Sequence, residues 1–567
     1  MSTARRPAPA VPPEPPAHED ARDSVARSSA LMASGTLVSR LLGFVRTAVQ
    51  GAALGAGAQV GAVTFDVANK APNVFYMLLA GGVLNAVLVP QIVRALKRPD
   101  GGADYVNRLV TLSLVLMAAA TVLLTAAAPL VVRLYASQKW EGDWVALATA
   151  MAYWCLPQVF FYGLYTVLGQ VLNAKGRFGA YMWAPVLNNV VAVAGLVVFL
   201  VVASGSARQW SAGDFDPSAV AVLAGTSTLG IVVQALVLFW PLHRAGFRYR
   251  PRWGFRGVGL RSAGRVAGWT FAAVVAGQLV FVATTQVTTA AAAELDDLGL
   301  QGATNASYTP AFLLFMLPHS LVAVSLVTAL FTRLSASAAA GDTAAVRRDF
   351  SYGARTVLVA GVLATAALVT LGPQIGVALF PAGDGRFVGQ VVAAMAVGLV
   401  PFSVTYLVQR VFYAYEDART PFTVSLVVAL VMAAGDLVCW LVVPAQWKVV
   451  GVGVAMSASN AVGVVLGLVL LRRRLRSLDG RGLDGHRLLR TLVRALVVGA
   501  LSGGAAHGVT RLAAPLGGAW AVQVGTVVVG GLVLLVLFTA LCRAMRVSEL
   551  DALVGPLLRR LPLPGRR

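Results

Sequence analysis

Apolar residues recur along this chain in long runs separated by short polar and basic stretches. A run of about 18 or more apolar residues is long enough to cross a membrane as one helix. Breaks at charged residues and at Pro and Gly clusters define fourteen such segments, near 30–55, 60–96, 107–134, 145–173, 179–204, 218–242, 264–291, 308–333, 354–380, 388–414, 421–443, 449–471, 489–512 and 518–542. The pattern predicts an all-α polytopic membrane protein with fourteen transmembrane helices.

Two stretches depart from a simple span. The second segment is too long for one straight helix and contains Pro72, which predicts a broken or kinked helix. Residues 1–28 are Pro-rich, of mixed charge and poor in apolar residues, so they are predicted to form a disordered tail. Because that tail has no apolar run of its own, the first span is expected to act as the insertion signal.

The basic residues are distributed unevenly between the two sides. Of the 46 lysines and arginines, 37 fall in the terminal tails and in the loops after even-numbered segments, whereas the loops after odd-numbered segments hold seven. Cytoplasmic loops carry the excess of Lys and Arg, so both termini are predicted to be cytoplasmic. The net charge of +22 is dispersed among short loops, which argues against nucleic acid as a partner. The basic stretch 472–494 is either an ordinary cytoplasmic loop or a contact for anionic lipid.

An internal repeat relates two parts of the chain. Residues 75–94 resemble 314–333 at an offset of 239, and 171–178 resemble 411–422 at an offset of 240. The shared offset places segments 1–6 over segments 7–12. Because each copy has an even number of spans, the two copies have the same orientation in the membrane. This is the architecture of transporters that rock two bundles about a central cavity.

The predicted organisation is therefore two six-helix bundles and an appended helix pair. Its parts are a cytoplasmic tail (1–28), an N-terminal bundle (29–243), a basic cytoplasmic linker (244–263), a C-terminal bundle (264–472), a basic loop with helices 13 and 14 (473–545) and a basic cytoplasmic tail (546–567).

The composition and motifs of the chain argue against an enzyme. The chain is 57% hydrophobic and only 12% charged, about half the charged fraction of a soluble protein. Its three cysteines are far apart, and its five histidines show no metal-ligand spacing. Phosphate-binding and nucleophile motifs are also missing from the sequence. We expect neither an enzyme nor a bound cofactor or metal.

Two arginines lie inside the first span. A charge within the membrane is costly and is a functional candidate by default. Ser39, Gly43, Arg46 and Gln50 share one helix face, which is small and polar enough to line a cavity. Arg46 lies deep in the span and is predicted to face that cavity, whereas Arg40 either lines it or extends to the cytoplasmic surface.

Three further charges lie within spans. Asp66 and Lys70 are four residues apart and form either a neutralising structural pair or a cavity-lining one. Asp436 is a lone carboxylate in the eleventh segment, with no cation within a helical turn. A carboxylate among helix carbonyls suits Na⁺ or a proton, so Asp436 is the candidate for cation coupling.

Four stretches carry a resemblance to a known family. SRLLGFVRTAVQGAALGAG (39–57) followed by VANKAPNVFYMLLAGGVLNAVLVP (67–90) resembles the opening of the MurJ/MviN lipid II flippases of the MOP exporter superfamily. VLNAKGRFGAYMWAPVLNN (171–189) is similar to that family's junction of helices 4 and 5, and YAYEDARTPF (413–422) to its loop between helices 10 and 11. The likeness covers roughly residues 30–545 and implies a MATE-like 6+6+2 arrangement of helices.

The resemblance implies export of lipid II, an undecaprenyl pyrophosphate carrying a disaccharide-peptide, across the bacterial plasma membrane by alternating access. That role belongs to peptidoglycan synthesis and cell shape, with the cell-wall synthesis machinery as a further partner. A cationic cavity would bind the headgroup, and a groove near helices 13 and 14 would take the lipid tail. Arg46, Arg40 and Lys70 fall on basic positions of the family, and Asp436 on a polar position linked to a cation. Transport would be coupled to Na⁺, H⁺ or the membrane potential.

The chain also departs from the family. Thr47 replaces an acidic residue, Tyr76 and Met77 replace a basic pair, and Leu313 stands at the helix-8 arginine position. The headgroup would therefore meet fewer positive charges. Three alternatives to a divergent lipid II flippase follow: another MOP-type exporter for drugs or polysaccharide-linked lipids, a paralogue whose activity has shifted or been lost, and a non-transporting scaffold of the envelope machinery.

Overall fold

The computed structural model describes residues 17–79, 103–175, 177–203, 207–254, 264–381, 384–547 and 549. Within these ranges every regular element is helical and no strand occurs. Long apolar sequences explain this, because a helix satisfies all of its backbone hydrogen bonds internally and so tolerates a lipid environment.

The first half of the chain forms helices that follow the predicted segments 1–6. They are α1 (Ala17–Leu54), α2 (Val60–Leu79), α3 (Ala103–Ala126), α4 (Ala128–Tyr135), α5 (Gly142–Cys155), α6 (Gln158–Ala174), α7 (Phe178–Val202) and α8 (Thr226–Leu236). α8 is the centre of a longer span, Pro217–Arg244, which includes a π-helical turn at Ala221–Gly225.

The second half repeats this arrangement and adds a helix pair. Its helices are α9 (Gly264–Asp297), α10 (Asn305–Pro318), α11 (Ser325–Ala339), α12 (Thr343–Leu379), α13 (Gly385–Ala396), α14 (Leu399–Ala414), α15 (Arg419–Leu441), α16 (Ala445–Asp479), α17 (Gly485–Ala513) and α18 (Trp520–Ala544). A π-helical stretch, His319–Val324, joins α10 to α11. The pair α17 and α18 packs against α12.

Eleven helices in the described ranges are long and apolar enough to span a membrane, or twelve when α13 and α14, bent by 50°, count as one span. These twelve are the predicted segments 3–14. The first predicted segment falls on α1 and the second begins with α2, whose continuation at 80–96 lies outside the described residues. A multi-pass membrane protein is therefore confirmed, while the count of fourteen and the cytoplasmic side of the termini stay predictions.

The structure corrects one expectation about the N-terminal part. α1 begins at Ala17, so residues 17–28 of the predicted disordered tail are helical, and residues 1–16 lie outside the described ranges. The reason is compositional: the Pro-rich stretch ends at Pro16, and the following residues include the helix formers Ala, Glu and Arg.

The break or kink predicted for the second segment stays a prediction. α2 is one helix through Pro72, and the remainder of that segment, 80–96, lies outside the described residues.

The internal repeat is visible in helix ends as well as in sequence. α6 ends at Ala174 and α14 at Ala414, 240 positions later. At both ends the capping residue has nearly the same backbone dihedrals, and its N–H is shared among three carbonyls. Two residues after each cap, an N–H returns to the carbonyl of Leu172 or of Phe412, again 240 positions apart.

α12 and α13 cross at the closest approach that backbones allow. Gly372 and Gly376 on α12 face Gly385 and Gly389 on α13, and a Cβ atom at any of the four would overlap backbone atoms of the opposite helix. Small residues at such positions let two membrane helices pack backbone to backbone. The crossing fixes the start of α13, and with it the adjacent residue Asp384.

Candidate functional site

A polar cavity of about 260 Å³ lies between the two halves. Its walls come from α1, α2 and Asn189 of the first half and from α10 and Phe380 of the second half. Three of the predicted site residues, Arg46, Gln50 and Lys70, line it. The cavity thus lies beside the polar face of the first span, and Ser39 and Arg40 are not among the residues that line it.

Arg46 is the cation of this cavity that has no carboxylate beside it. Its Nη2 donates to Ser227 Oγ at 3.1 Å, and it forms no ion pair within the part of the chain that the structure describes. An isolated guanidinium inside the membrane is costly unless water or an anion compensates it. Its planar fork of donors matches phosphate oxygens.

Lys70 and Asp66 combine the two roles considered for them. Lys70 Nζ lies 2.8 Å from Asp66 Oδ2, so the pair is neutralised, and both residues line the cavity. Lys70 Nζ also lies 5.8 Å and 5.9 Å from the ring centroids of Phe281 and Tyr308, which belong to the second half. Contacts at this distance are attractive cation–π interactions.

A hydrogen-bond network behind Arg46 was not anticipated from the sequence. Ser227 Oγ, which accepts from Arg46, donates to Asn69 Oδ1 at 3.0 Å. Gln158 Nε2 donates to the same Asn69 oxygen at 3.2 Å and to Thr228 Oγ1 at 3.0 Å. Side chains of α2, α6 and α8 therefore form a network that positions Arg46 through its contact with Ser227. The only sequence signal was the presence of uncharged polar residues in these spans.

Two predicted site residues lie elsewhere. Ser39 faces α7, where its carbonyl oxygen accepts from Asn189 Nδ2 at 2.8 Å. Arg40 donates to Ser320 Oγ in the π-helical stretch of the second half and is half-buried, so it does not line the 260 Å³ cavity. Its extension towards the cytoplasmic surface stays a prediction. Helix periodicity gave the face of α1 correctly but not the neighbour that covers each part of that face.

The departures from the family resemblance leave the cavity poor in charge. Thr47 and Leu313 both line it. Tyr76, at a position where the family has a basic residue, stacks on Tyr162 with ring centroids 5.4 Å apart and hydrogen-bonds Thr166. Arg46 is therefore left as the un-neutralised positive charge among the residues that line this cavity.

The two halves are joined at one end of the bundle, which the charge pattern predicts to lie outside the cell and which we term the outer end. It contains the short loop 55–59 and the first turn of α10. Thr304 Oγ1 donates to the carbonyl of Gly57 at 2.7 Å, and Ser307 Oγ donates to that of Ala56. Asp384 accepts from Ala56 N and Gln59 Nε2, both at 3.2 Å. The cavity is closed at this end.

The end of α9 adds an ionic contact to the same closure. Glu294 on α9 accepts from Lys139 of the first half at 2.6 Å and from Lys448 of the second half. Nearby, Trp140 Nε1 donates to the carbonyl of Thr289 at 3.0 Å. The outer end of α9 is thereby attached to both halves.

Asp436, the candidate for cation coupling, lies in the second half and is 1% exposed. Its Oδ2 accepts from Thr284 Oγ1 at 2.6 Å, while its Oδ1 has no hydrogen-bond partner among the described residues. The described ranges hold no group of three or more His, Cys, Asp or Glu residues suited to a metal ion. Gln138 and Gln286 line the same cavity as Asp436.

A separate apolar groove of about 940 Å³ lies between α12, α14, α16 and α17. Leucine and valine side chains form most of its wall, and Arg472, Asp484 and His486 stand at the end near the loop 480–484. A long apolar groove with charged groups at one end suits an amphipathic lipid better than a soluble ligand.

Comparison with known proteins agrees with this anatomy. The family model described as lipid II flippase MurJ matches residues 51–522. A probable lipid II flippase MurJ of Haemophilus influenzae is 25% identical over 456 residues, covering 76% of this chain and 84% of the relative. The lipid II flippase MurJ of Burkholderia cenocepacia is 26% identical over 454 residues, covering 76% and 81%.

The fold is also found in solved structures. A structure titled lipid II flippase MurJ, inward closed conformation, has a TM-score of 0.68 at 16% identity and covers 91% of this chain and 99% of that one. An inward-facing multidrug resistance MATE transporter of the MOP superfamily has a TM-score of 0.61 at 16% identity, covering 79% and 96%. With a family model that matches most of its length, this chain belongs to the MurJ family of lipid II flippases.

Proposed function

We propose that this chain moves lipid II across the bacterial plasma membrane by alternating access. The observation that carries the proposal is Arg46, a guanidinium without a carboxylate partner in the described ranges, in a cavity between two repeated bundles. A diphosphate supplies the negative charge and the paired oxygens that such a group binds best. Gln50 and Lys70 line the same cavity and supply further donors.

The lipid tail has a place of its own. The 940 Å³ groove beside α17 is apolar and ends near Arg472 and His486. A polyprenyl chain that moves from the bilayer into this groove stays in apolar surroundings and is held by van der Waals packing against the leucine and valine side chains. We assign the tail to this groove and the headgroup to the central cavity.

The cavity must enlarge before it accepts the headgroup. Its 260 Å³ is below the range of 300–1,000 Å³ in which drug-sized ligands bind, and a disaccharide-peptide is larger than a drug. The closed outer end and the small cavity together describe one state of the cycle, from which the halves separate to load substrate.

Energy coupling is assigned to Asp436. Its unpartnered Oδ1 and its contact with Thr284 support a site for Na⁺ or a proton, and the membrane potential is the alternative source of energy. We further propose that the cell-wall synthesis machinery is its functional partner, because lipid II is the substrate of that machinery.

The loss of basic residues at Tyr76, Met77 and Leu313 favours a second candidate, another MOP-type exporter or a paralogue inactive in transport. The deciding experiment is depletion of this protein in its own host, with lipid II at the outer surface detected by an impermeant label. Loss of surface lipid II with accumulation inside supports the proposal. Unchanged surface lipid II, with no second flippase present, contradicts it.

A further inference from the structure

Asp66 on α2 joins partners from both halves of the protein. Its Oδ2 accepts from Lys70 Nζ at 2.8 Å and from Asn305 Nδ2 at 3.0 Å, and its Oδ1 accepts from Thr309 Oγ1 at 2.7 Å. Asn305 and Thr309 lie one turn apart at the start of α10. A single carboxylate, 6% exposed, thus connects a cavity-lining cation of the first half to the second half.

The strength of this connection depends on the charge of Asp66. Hydrogen bonds to an ionised acceptor are roughly twice as strong as those between neutral groups, and more so away from water. The neighbouring bonds from Thr304 and Ser307 to backbone carbonyls join neutral groups. Among these contacts, the one at Asp66 is therefore the most sensitive to a charge that enters the cavity.

A diphosphate in the cavity acts on this contact in two ways. It competes with Asp66 for Lys70, because both residues line the cavity that the anion enters. It also repels the carboxylate itself, since like charges a few ångströms apart inside a protein interact strongly. Both effects weaken the hold of Asp66 on Asn305 and Thr309.

We infer that Asp66 is a positioning residue that makes opening of the outer end dependent on a diphosphate headgroup in the cavity. The inference rests on the proposed function for the identity of the anion. Asp66 acts through Lys70, which it orients, and through α10, which it holds until the anion arrives.

The test measures the separation of the outer ends of the two halves. Spin labels are attached at Gly213→Cys in the first half and Gly518→Cys in the loop before α18, where an added side chain meets nothing within 4 Å. The buried native cysteines, Cys155, Cys439 and Cys542, are replaced by Ala. Distances are recorded by pulsed electron paramagnetic resonance on the full chain in lipid nanodiscs, with and without undecaprenyl diphosphate.

In the protein with native Asp66, the diphosphate lipid should shift the distance distribution towards longer values. Asp66→Asn should raise the ratio of long to short distances on the order of tenfold without lipid, because two charge-assisted bonds become neutral ones. Added lipid should then change it little. Lys70→Met should shift the distances part of the way towards longer values without lipid and respond weakly to the lipid, because the cation for which the diphosphate competes is already absent.

Asp349→Asn is the matched control. Asp349 is similarly buried, at 8% exposed, and it pairs with Arg333 inside the second half, so its loss should leave the distances unchanged. Thr309→Val removes one donor without changing any charge. It should show a smaller shift in the same direction as Asp66→Asn, and it replaces that variant if the latter does not fold.

The outcomes separate this inference from the proposed function. If Asp66→Asn and Thr309→Val both behave like the unaltered protein, which itself responds to the lipid, the role of Asp66 is wrong and the proposed substrate stands. If Asp66→Asn is open but the unaltered protein ignores the lipid, dependence on a diphosphate is wrong and the proposed substrate loses its support.

Discussion

The two halves of this protein share one architecture but hold their membrane acids in opposite settings. Asp66, in the first half, accepts from Lys70, Asn305 and Thr309, which occupy both carboxylate oxygens. Asp436, in the second half, accepts from Thr284 alone and leaves one oxygen without a partner among the described residues. The first carboxylate has both oxygens engaged by the surrounding protein, and the second keeps the free oxygen on which the proposed cation site depends.

Two cavities of the protein differ in the same sense. The 260 Å³ cavity between the halves contains Arg46 of the first half and suits an anion. A second cavity of about 440 Å³ lies inside the second half and is lined by aromatic, methionine and uncharged polar side chains, among them Tyr308, Tyr406 and Asn460. The role of a membrane acid therefore follows from its partners rather than from its presence.

The largest expected effect tests whether the first half is the anion site. Arg46→Ala should abolish complementation of a flippase-depleted strain, because the charge that binds the diphosphate is lost while the protein still folds. Arg46→Lys should keep part of the activity, since an ammonium retains the charge but not the paired donors. Growth is measured together with the amount of protein in the membrane.

Arg386→Ala is the control for that experiment. Arg386 is exposed at the outer end, where it contacts Gln301, so its removal should leave complementation intact. Full growth of the Arg46→Ala strain at normal protein levels would contradict the assignment of the headgroup site to Arg46.

The second prediction sharpens the role of the other half. Asp436→Asn should lower transport by about tenfold, within the range of 5–150-fold expected when a coupling free energy of 1–3 kcal/mol is lost. It should also weaken any dependence on Na⁺ and remove any dependence on pH that comes from this residue, because the amide lacks the negative charge and does not titrate. Transport into vesicles is measured across both gradients.

Thr284→Val is its matched control, since it removes the hydroxyl and keeps the carboxylate. That variant should retain ion dependence. Unchanged activity and unchanged ion dependence in Asp436→Asn would make Asp436 a structural residue and would leave the contrast between the halves without a coupling role.

A smaller effect, on stability, tests how rigid the second half is. Gly376→Ala should lower the free energy of unfolding by about 1–3 kcal/mol, the usual cost of overpacking, because the new Cβ overlaps the backbone of α13. Gly531→Ala on α18 meets nothing within 4 Å and should be close to neutral. Thermal unfolding in detergent compares the two, and equal midpoints would show that the crossing yields easily.

The mildest changes test which end of the two halves faces outward. Gly213→Cys should react with an impermeant thiol reagent in intact cells, whereas Trp253→Cys, on the predicted cytoplasmic side, should react only after permeabilisation. Both positions are exposed, so neither change should affect activity. The opposite labelling pattern would invert the topology and place the closed end in the cytoplasm.

Local features of the sequence were sufficient to predict the membrane spans and the polar surroundings of Arg46. Apolar runs predicted segments 3–14, and the cost of a deep charge predicted that Arg46 faces a polar space. The prediction of disorder for residues 17–28 was wrong because it extended the proline-rich character of the chain before Ala17 to residues that favour a helix. These outcomes depend on neighbours within a few turns.

Contacts between the halves could not be predicted in this way. Asn305 and Thr309 are 239 and 243 residues from Asp66. The repeat offset of 239 makes Asn305 the counterpart of Asp66, but it does not say that the two residues touch. For the same reason Ser39 was assigned to the cavity although Asn189 covers it, and the partner of Arg40, Ser320, was missed. Such contacts depend on how two bundles meet, which a hydropathy pattern does not contain.

The glycine crossing of α12 and α13 has a mechanical consequence. α12 has 37 residues and is about 55 Å long, so it extends from one membrane face to the other. At its outer end the four glycines hold it to α13 and thus to Asp384, while Leu358 and Val362 nearer its other end line the apolar groove. We therefore expect α12 to act as a lever. A lipid tail that spreads the groove would exert a torque on the outer closure, which lies roughly 20–30 Å further along the helix at about 1.5 Å per residue.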